Sequence, residues 1–209
     1  MKKSILVLIF PLLLVAQTIE AQKEKTDVRF TIKTNPLSAI GGPLYVAFIP
    51  ITGEYKILFE AKTTRKQSIE TGFGYLGPSL LINIDELSEI DSVSSVKTSG
   101  YRLQLMYKFF ITEDEAPRGF YVGPHVSYAT ARIANRDNSD DEFSASKLNM
   151  NIILGYQLIT GGGFTLNVYS GLGFKLRDYD IPTGSTFDFD YGNRASPNVA
   201  FGFSFGIAF

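Results

Sequence analysis

A histidine and a serine stand two residues apart in the segment PHVSY, as His125 and Ser127. Side chains two residues apart on a strand point to the same face, so a strand here would bring the imidazole and the hydroxyl together. A serine esterase needs that pair and a carboxylate that orients the imidazole. The segment is therefore a candidate for ester hydrolysis. The alternative is a lone histidine that is satisfied by hydrogen bonds inside the protein.

Oxygen-rich segments are the second candidate for chemistry. They are NIDELSEIDS, with Asp85, Glu86, Glu89 and Asp91; RDNSDDE, with Asp137, Asp140, Asp141 and Glu142; and the shorter RDYD and FDFD. Carboxylate clusters can hold calcium, but none of these has the glycine and terminal glutamate spacing of a calcium loop. We interpret them as solvated acidic loops. The chain also has no cysteine and no phosphate-binding glycine loop, so we expect no metal site and no cofactor.

The elements around these candidates alternate between apolar and polar or small residues. The chain ends in NVAFGFSFGIAF, in which large apolar residues at odd positions alternate with small residues at even positions. The segments YRLQLMYKF, KLNMNIILGYQLI and FTLNVYSGLGFKL show the same period of two. Such alternation predicts strands with chemically opposite faces.

The alternation predicts eight strands over the chain. Their expected bounds are about 28 to 40, 53 to 63, 68 to 77, 99 to 112, 120 to 134, 146 to 160, 164 to 178 and 195 to 209. The start of the second strand stays open between Leu44 and Gly53, because the stretch GGPLYVAFIPITG contains Pro43, Pro50 and three glycines. Short connections alternate with long polar ones, which is typical of an antiparallel up-and-down barrel.

The N-terminus MKKSILVLIFPLLLVAQTIEAQ has the charged, apolar and small-residue order of a secretory signal peptide. We therefore predict a signal peptide at residues 1–22 and one barrel domain at residues 23–209. A retained membrane anchor is the alternative. No apolar run of eighteen or more residues follows, and the net charge of −1 comes from scattered charges, so a nucleic-acid partner is not expected.

The last strand indicates which face of the barrel meets which solvent. From Val199 onward its even positions hold only alanine, glycine and serine, a face without a charge to keep it in water but small enough for a crowded lumen. The opposite faces of strands four to eight are apolar and almost free of charge, as hydrocarbon requires. We therefore expect an all-β, eight-stranded antiparallel transmembrane barrel that is monomeric. A soluble lipocalin-like barrel, with the faces exchanged, is the alternative.

The terminal alternation through Phe205, Ile207 and Phe209 resembles the C-terminal signal by which the barrel-assembly machinery recognises outer-membrane barrels. The stretches KTNPLSAIGG and FEAKTTRKQSIETGFGYLG, together with this last strand, resemble a family of small outer-membrane barrels of unknown function, typical of Bacteroidota and OmpA/OmpX-like in size. The resemblance implies a location in the outer membrane of a Gram-negative cell, among membrane lipids and lipopolysaccharide. It implies no activity.

The spacing of His125 and Ser127 also resembles that in outer-membrane lipid A deacylases, but Tyr128 stands where that family has asparagine. The period of two places both residues inside the barrel, away from lipid. We therefore do not expect an enzyme, although a lipid A-modifying esterase stays open as an alternative.

The same period sends a set of charged residues into the lumen. These are Arg29, Lys33, Lys56, Glu60, Lys62, Glu70, Arg102, Lys108, Lys175 and Arg177. Eight strands enclose a space that side chains fill, so we expect a packed ion-pair network. Because cations outnumber carboxylates, a site for anionic solutes or a small solute channel is the alternative. The expected role is structural support of the envelope, or recognition of an extracellular or envelope partner by the long loops.

Overall fold

Eight strands form the protein in the computed structural model, which describes residues 28–39, 52–78, 96–135, 142–180 and 195–209. The strands are β1 (Phe30–Thr34), β2 (Thr52–Thr64), β3 (Gln67–Pro78), β4 (Val96–Phe110), β5 (Gly119–Asn135), β6 (Glu142–Ile159), β7 (Phe164–Asp180) and β8 (Ser196–Ala208). One short helix, α1 (Pro36–Ala39), follows β1. The predicted signal peptide and the acidic loop segments lie outside the described residues, apart from Glu142, Asp178 and Asp180 at strand ends.

Each strand pairs antiparallel with its neighbour in the chain, and β1 also pairs with β8. The closing pair runs from Thr31 opposite Ala208 to Thr34 opposite Phe205. This pair joins the two ends of the sheet, so the described strands form a closed ring. The predicted fold class, an all-β, eight-stranded antiparallel barrel, is confirmed. Within the described ranges, no helix is both long enough and apolar enough to cross a membrane.

The first strand is shorter than the sequence predicts, because α1 begins within the predicted range. Asn35 accepts a hydrogen bond at its side-chain oxygen from the Ser38 backbone N–H, at 3.3 Å. Pro36 occupies the first helical position, where its missing N–H costs nothing. The described part of β2 begins at Thr52, near the late end of the range left open. β4 and β6 begin three or four residues before their predicted starts.

Large apolar residues cover the outside of the barrel. Leu172, Val199 and Ile207 are 69%, 66% and 63% exposed, whereas Thr165 and Asn167 on β7 are fully buried. Polar residues therefore occupy the interior, the reverse of the arrangement in a soluble protein. The two ends also differ. We call the end with the short connections 65–66, 111–118 and 160–163 the turn end, and the opposite end the loop end.

Ion pairs and hydrogen bonds to the backbone hold the connections of the turn end together. Lys66 donates through Nζ to the backbone carbonyls of Glu113 and Asp114, at 2.9 and 3.0 Å. Glu115 bridges Lys62 and Arg65, with both N···O distances at 2.9 Å. The Lys62 ammonium, which donates a hydrogen bond to Glu115, holds the pKa of that carboxyl below its usual value.

Candidate functional site in the barrel lumen

Four charged side chains meet inside the barrel near the turn end. Lys33 lies on β1, Glu60 on β2, Glu70 on β3 and Lys108 on β4, and all four side chains are fully buried. The Nζ of Lys33 lies 2.6 Å from Glu70 and also contacts Glu60, while the Nζ of Lys108 lies 2.7 Å from Glu70 and 3.1 Å from Glu60. Each ammonium thus contacts both carboxylates. The cluster is neutral because two cations face two anions.

A glutamine from the far wall completes the cluster. The Oε1 of Gln157 on β6 accepts from Lys33 at 2.9 Å and from Lys108 at 3.0 Å. Its Nε2 donates to Glu60 at 2.9 Å and to the backbone oxygen of Pro117 at 2.7 Å. Buried charges are tolerated when they are both paired and hydrogen-bonded, as here. We call Lys33, Glu60, Glu70, Lys108 and Gln157 the lumen plug.

Aromatic side chains fill the barrel next to the lumen plug. Tyr121 is fully buried, places its ring 4.8 Å from the Lys108 ammonium and donates to Asn167 Oδ1 at 2.7 Å. A Cβ on Gly155 would lie 2.5 Å from the Tyr121 hydroxyl, and one on Gly202 would overlap the ring of Tyr169. Glycine at these lumen positions therefore makes room for the tyrosines. The turn half of the lumen is packed with side chains rather than open to water.

The loop half of the lumen carries an excess of cations. Lys56 on β2, Arg102 on β4, Lys147 on β6 and Arg177 on β7 stand in one continuous row of paired residues, with Gly74 and Ala129 between them. Lys175 lies two residues from Arg177 on the same face. We call Lys56, Arg102, Lys147, Lys175 and Arg177 the cationic row.

One described carboxylate faces the cationic row. Glu54 pairs with Arg102, with N···O at 2.6 Å, and more loosely with Lys56 at 3.4 Å. Both pairs lie on the β2 to β4 side of the lumen. Lys147 and Lys175, on the opposite side, have no salt bridge to any residue in the described ranges.

His125 and Ser127 face the lumen between the lumen plug and the cationic row. Both are buried, at 6% and 5% exposure. Ser127 Oγ accepts from Asn149 at 3.1 Å, and His125 Nδ1 lies 3.4 Å from Asn151 Nδ2. Neither contact supplies the carboxylate that an esterase triad requires. The pair lies inside the barrel, as its sequence parity predicts, and does not reach the outer surface of the barrel.

The lumen residues predicted from sequence fall into three groups. Lys33, Glu60, Glu70 and Lys108 come together in the lumen plug, while Lys56, Arg102, Lys175 and Arg177 lie in the loop half. Lys62 pairs with Glu115 at the turn end, outside the main network. Arg29 lies ahead of β1 and is exposed, because at the barrel end a long side chain reaches water, and its part in the lumen network stays a prediction.

Three functional residues were missed. Glu54 is the second residue of the second predicted strand, which begins at about residue 53. It lies two residues before Lys56, so the period of two places both side chains in the lumen. Gln157 and Lys147 belong to the inward set of KLNMNIILGYQLI. Their parity is the signal that places them in the lumen.

The predicted assembly signal lies on the barrel exterior. Ile207 and Phe209 are 63% and 48% exposed. The ring of Phe205 lies 6.5 Å from that of Phe164 and 6.3 Å from that of Phe203. Phe209 also bonds back to β1, where its carbonyl accepts from the Phe30 N–H at 2.9 Å. The last strand is therefore fully built into the wall.

No protein-family model matches the chain, and no curated protein is significantly similar to it. The barrel agrees in strand number and pairing with OmpA/OmpX-like barrels. Membership of a Bacteroidota family stays a prediction.

Proposed function

We propose that the protein is an integral outer-membrane barrel of a Gram-negative cell, exported by its signal peptide, that acts without catalysis. Its work is support of the envelope, or recognition of an extracellular or envelope partner through the segments at the loop end. Membrane lipids, lipopolysaccharide and the barrel-assembly machinery are its expected contacts. The proposal depends most on one observation, an uncharged apolar band around a closed barrel with a polar interior.

The apolar band covers every strand. On β4 the outward residues from Tyr101 to Phe109 are all apolar or aromatic, and on β7 Ser170 is the only polar one between Phe164 and Leu176. In the described strands, outward charges occur only near the barrel ends, as with Arg132 and Asp178. In water this surface would be far larger than the apolar patches that soluble monomers expose. In hydrocarbon it avoids the cost of about 2–4 kcal/mol for a lysine or arginine at midplane.

Aromatic residues mark both borders of the band. At the loop end, Tyr55, Tyr75 and Tyr101 are paired across three neighbouring strands. At the turn end, the rings of Phe120 and Tyr156 lie 4.7 Å apart. Eight residues separate Tyr101 from Phe109, which is about 27 Å along the strand and roughly 20 Å along the axis at a tilt near 40°. This height is close to that of an outer-membrane apolar band.

Spin labelling tests whether the apolar band faces hydrocarbon. The chain has no cysteine, so a label can be attached at a single introduced cysteine without replacing native ones. A label at Leu172→Cys in vesicles should collide more with dissolved oxygen than with a water-soluble nickel chelate. A label at Thr63→Cys, exposed beyond the band at the turn end, is the control and should show the opposite preference. A mature protein that stays soluble without detergent would contradict the proposal and favour a lipocalin-like binder.

A partner at the loop end is tested by purification from native membranes. We expect a partner to co-purify with the full chain and not with a variant that lacks residues 79–95. Both proteins should migrate as a compact barrel in electrophoresis unless they are heated, which shows that both are folded. Equal recovery from both variants would favour a purely structural role.

The absence of catalysis is tested separately. Lipid A should keep its mass when the protein is overproduced. Loss of one acyl chain that depends on His125 would favour the esterase alternative.

A further inference from the structure

The cationic row lowers the stability of the folded barrel. Lys147 and Arg177 are directly opposite each other on β6 and β7, and like charges in that position destabilise a sheet. Lys147 also lies in Coulombic range of Arg102 and Lys175. The lumen plug is already neutral and lies toward the other end, so it does not compensate Lys147 and Lys175, which have no salt bridge to a described residue. An arrangement that costs stability without a packing role points to binding.

Small residues stand between the cations of the row. Gly74 stands between Lys56 and Arg102 in the row, and Ala129 stands between Arg102 and Lys147. A Cβ on Gly74 would lie 2.7 Å from Glu54 Oε1, so the missing side chain leaves room for this carboxylate against the wall. Glu54 is thereby held on the β2 to β4 side, away from Lys147 and Lys175.

Two buried polar atoms near the cationic row have no hydrogen-bond partner within the described residues. With His125 Nδ1 accepting from Asn151, Nε2 carries the proton, and it has no hydrogen-bond partner in the described part of the chain. The buried Nε of Arg102 is likewise without one. Both atoms are donors in this state. Below them the buried lumen plug and Tyr121 fill the barrel, so the lumen is closed toward the turn end.

We propose that the loop half of the lumen, between the cationic row and His125, binds a soluble multivalent anion, a small molecule that carries phosphate or sulfate groups. Lysine and arginine donors suit such groups, because each oxygen can accept a charge-assisted hydrogen bond. A ligand with a single carboxylate would leave Lys147 or Lys175 without a counterion. The inference rests on the proposed function only in taking the loop end as the end open to the outside.

Inorganic pyrophosphate is the probe, titrated into the full chain in a zwitterionic detergent at constant ionic strength. Unfolding is followed by heat-modifiable electrophoresis, with and without the probe. Wild-type protein should bind and unfold at a higher temperature with pyrophosphate. The double variant Lys147→Gln, Lys175→Gln should bind about tenfold more weakly or worse, as expected from losing a charge-assisted hydrogen bond. Arg65→Gln, which removes a cation at the turn end, should bind as wild type does.

The second measurement is the unfolding temperature of the double variant without pyrophosphate. This temperature should be higher than that of the wild type, because like charges are removed. A double variant that is less stable would mean that acidic groups already neutralise the row, and it would overturn the proposal. An equal response of wild type and double variant to pyrophosphate would overturn it as well.

Lipid headgroup phosphate is distinguished by repeating the titration in phosphatidylcholine vesicles with and without lipid A. Unchanged pyrophosphate binding supports a soluble ligand. Its loss in lipid A vesicles assigns the site to the headgroup and overturns the soluble-anion proposal. Spin labelling at Leu172 reports insertion independently, so failure of this inference is distinguishable from failure of the barrel proposal.

Discussion

Replacement of Lys108 by methionine removes one of the two cations of the lumen plug and keeps a similar side-chain length. Glu60 and Glu70 then share the single ammonium of Lys33 in a fully buried site. One carboxylate charge is left without a counterion, and the Oε1 of Gln157 loses one of its donors. The variant should therefore be much less stable than the wild type.

The magnitude follows from the two lost contacts. At 2.7 Å from Glu70 and 3.1 Å from Glu60, and with an effective dielectric constant of 20, Lys108 attracts the carboxylates by about 6 and about 5 kcal/mol. Burial of the ammonium costs several kcal/mol, which offsets part of this attraction. The free energy of unfolding should fall by about 3–5 kcal/mol, the cost expected for breaking a buried pair.

Urea unfolding in phospholipid vesicles measures this change. The chain has no tryptophan, so the folded fraction is best read as the electrophoretic band of the unheated, compact barrel. Arg65→Met, which removes an exposed cation at the turn end, is the control. Its unfolding midpoint should stay close to that of the wild type, because an exposed ion pair contributes little.

A double-mutant cycle supplies the result that would refute the reasoning. Glu70→Gln alone leaves an excess cation, whereas Glu70→Gln with Lys108→Met restores a neutral cluster of Lys33 and Glu60. The double variant should be more stable than the sum of the single effects predicts, by roughly 2–3 kcal/mol. Additive effects, or a neutral Lys108→Met, would show that the charges are not coupled.

Three further predictions concern the surface, the packed lumen and the turn end. Ile152→Arg, in the apolar band, should destabilise the vesicle-embedded barrel by about 2–4 kcal/mol, and Thr63→Arg should not; equal effects would count against a bilayer around the band. Gly202→Ala should cost about 1–3 kcal/mol by overlap with Tyr169, and Tyr169→Leu in the same chain should recover part of it; no recovery would contradict the packing. The pKa of Glu115 is lowered, so its stabilising effect is full above the usual pKa of 4.5 and is lost as the pH falls through the lower folded value. The stability difference between wild type and Glu115→Gln should therefore shrink below pH 4.5, and a pH-independent difference would refute the role of the Lys62 contact.

Most of the barrel could be predicted from the sequence, because the alternation that fixes the two faces of a strand is local. The odd positions from Val199 to Phe209 and the even positions from Phe164 to Leu176 point outward as predicted. The error in the first strand was also local. Asn35 and Pro36 begin a helix there, and their capping signal competes with the alternation.

The sequence does not show which of the inward-facing charged residues contact one another. The period of two places both Lys33 and Lys62 on the lumen side, yet Lys33 lies in the lumen plug and Lys62 pairs with Glu115 at the turn end. Height along the barrel separates them, and height depends on how far each strand is shifted against its neighbour. For the same reason, Lys147 joins the cationic row only through its pairing with Ala129 and Arg177.

By itself the sequence determined which side chains face the outside of the barrel and which face the lumen, because a period of two needs no knowledge of neighbours. Only the tertiary structure decided which lumen charges meet. Lys33 and Gln157 are 124 residues apart and come together because the register accumulates over eight strands and is fixed when β1 pairs with β8. A shift of one residue in the pairing of two strands would move the outward side chains of one strand into the lumen and its inward side chains to the outside. The register that buries the charge network is therefore the same register that closes the barrel.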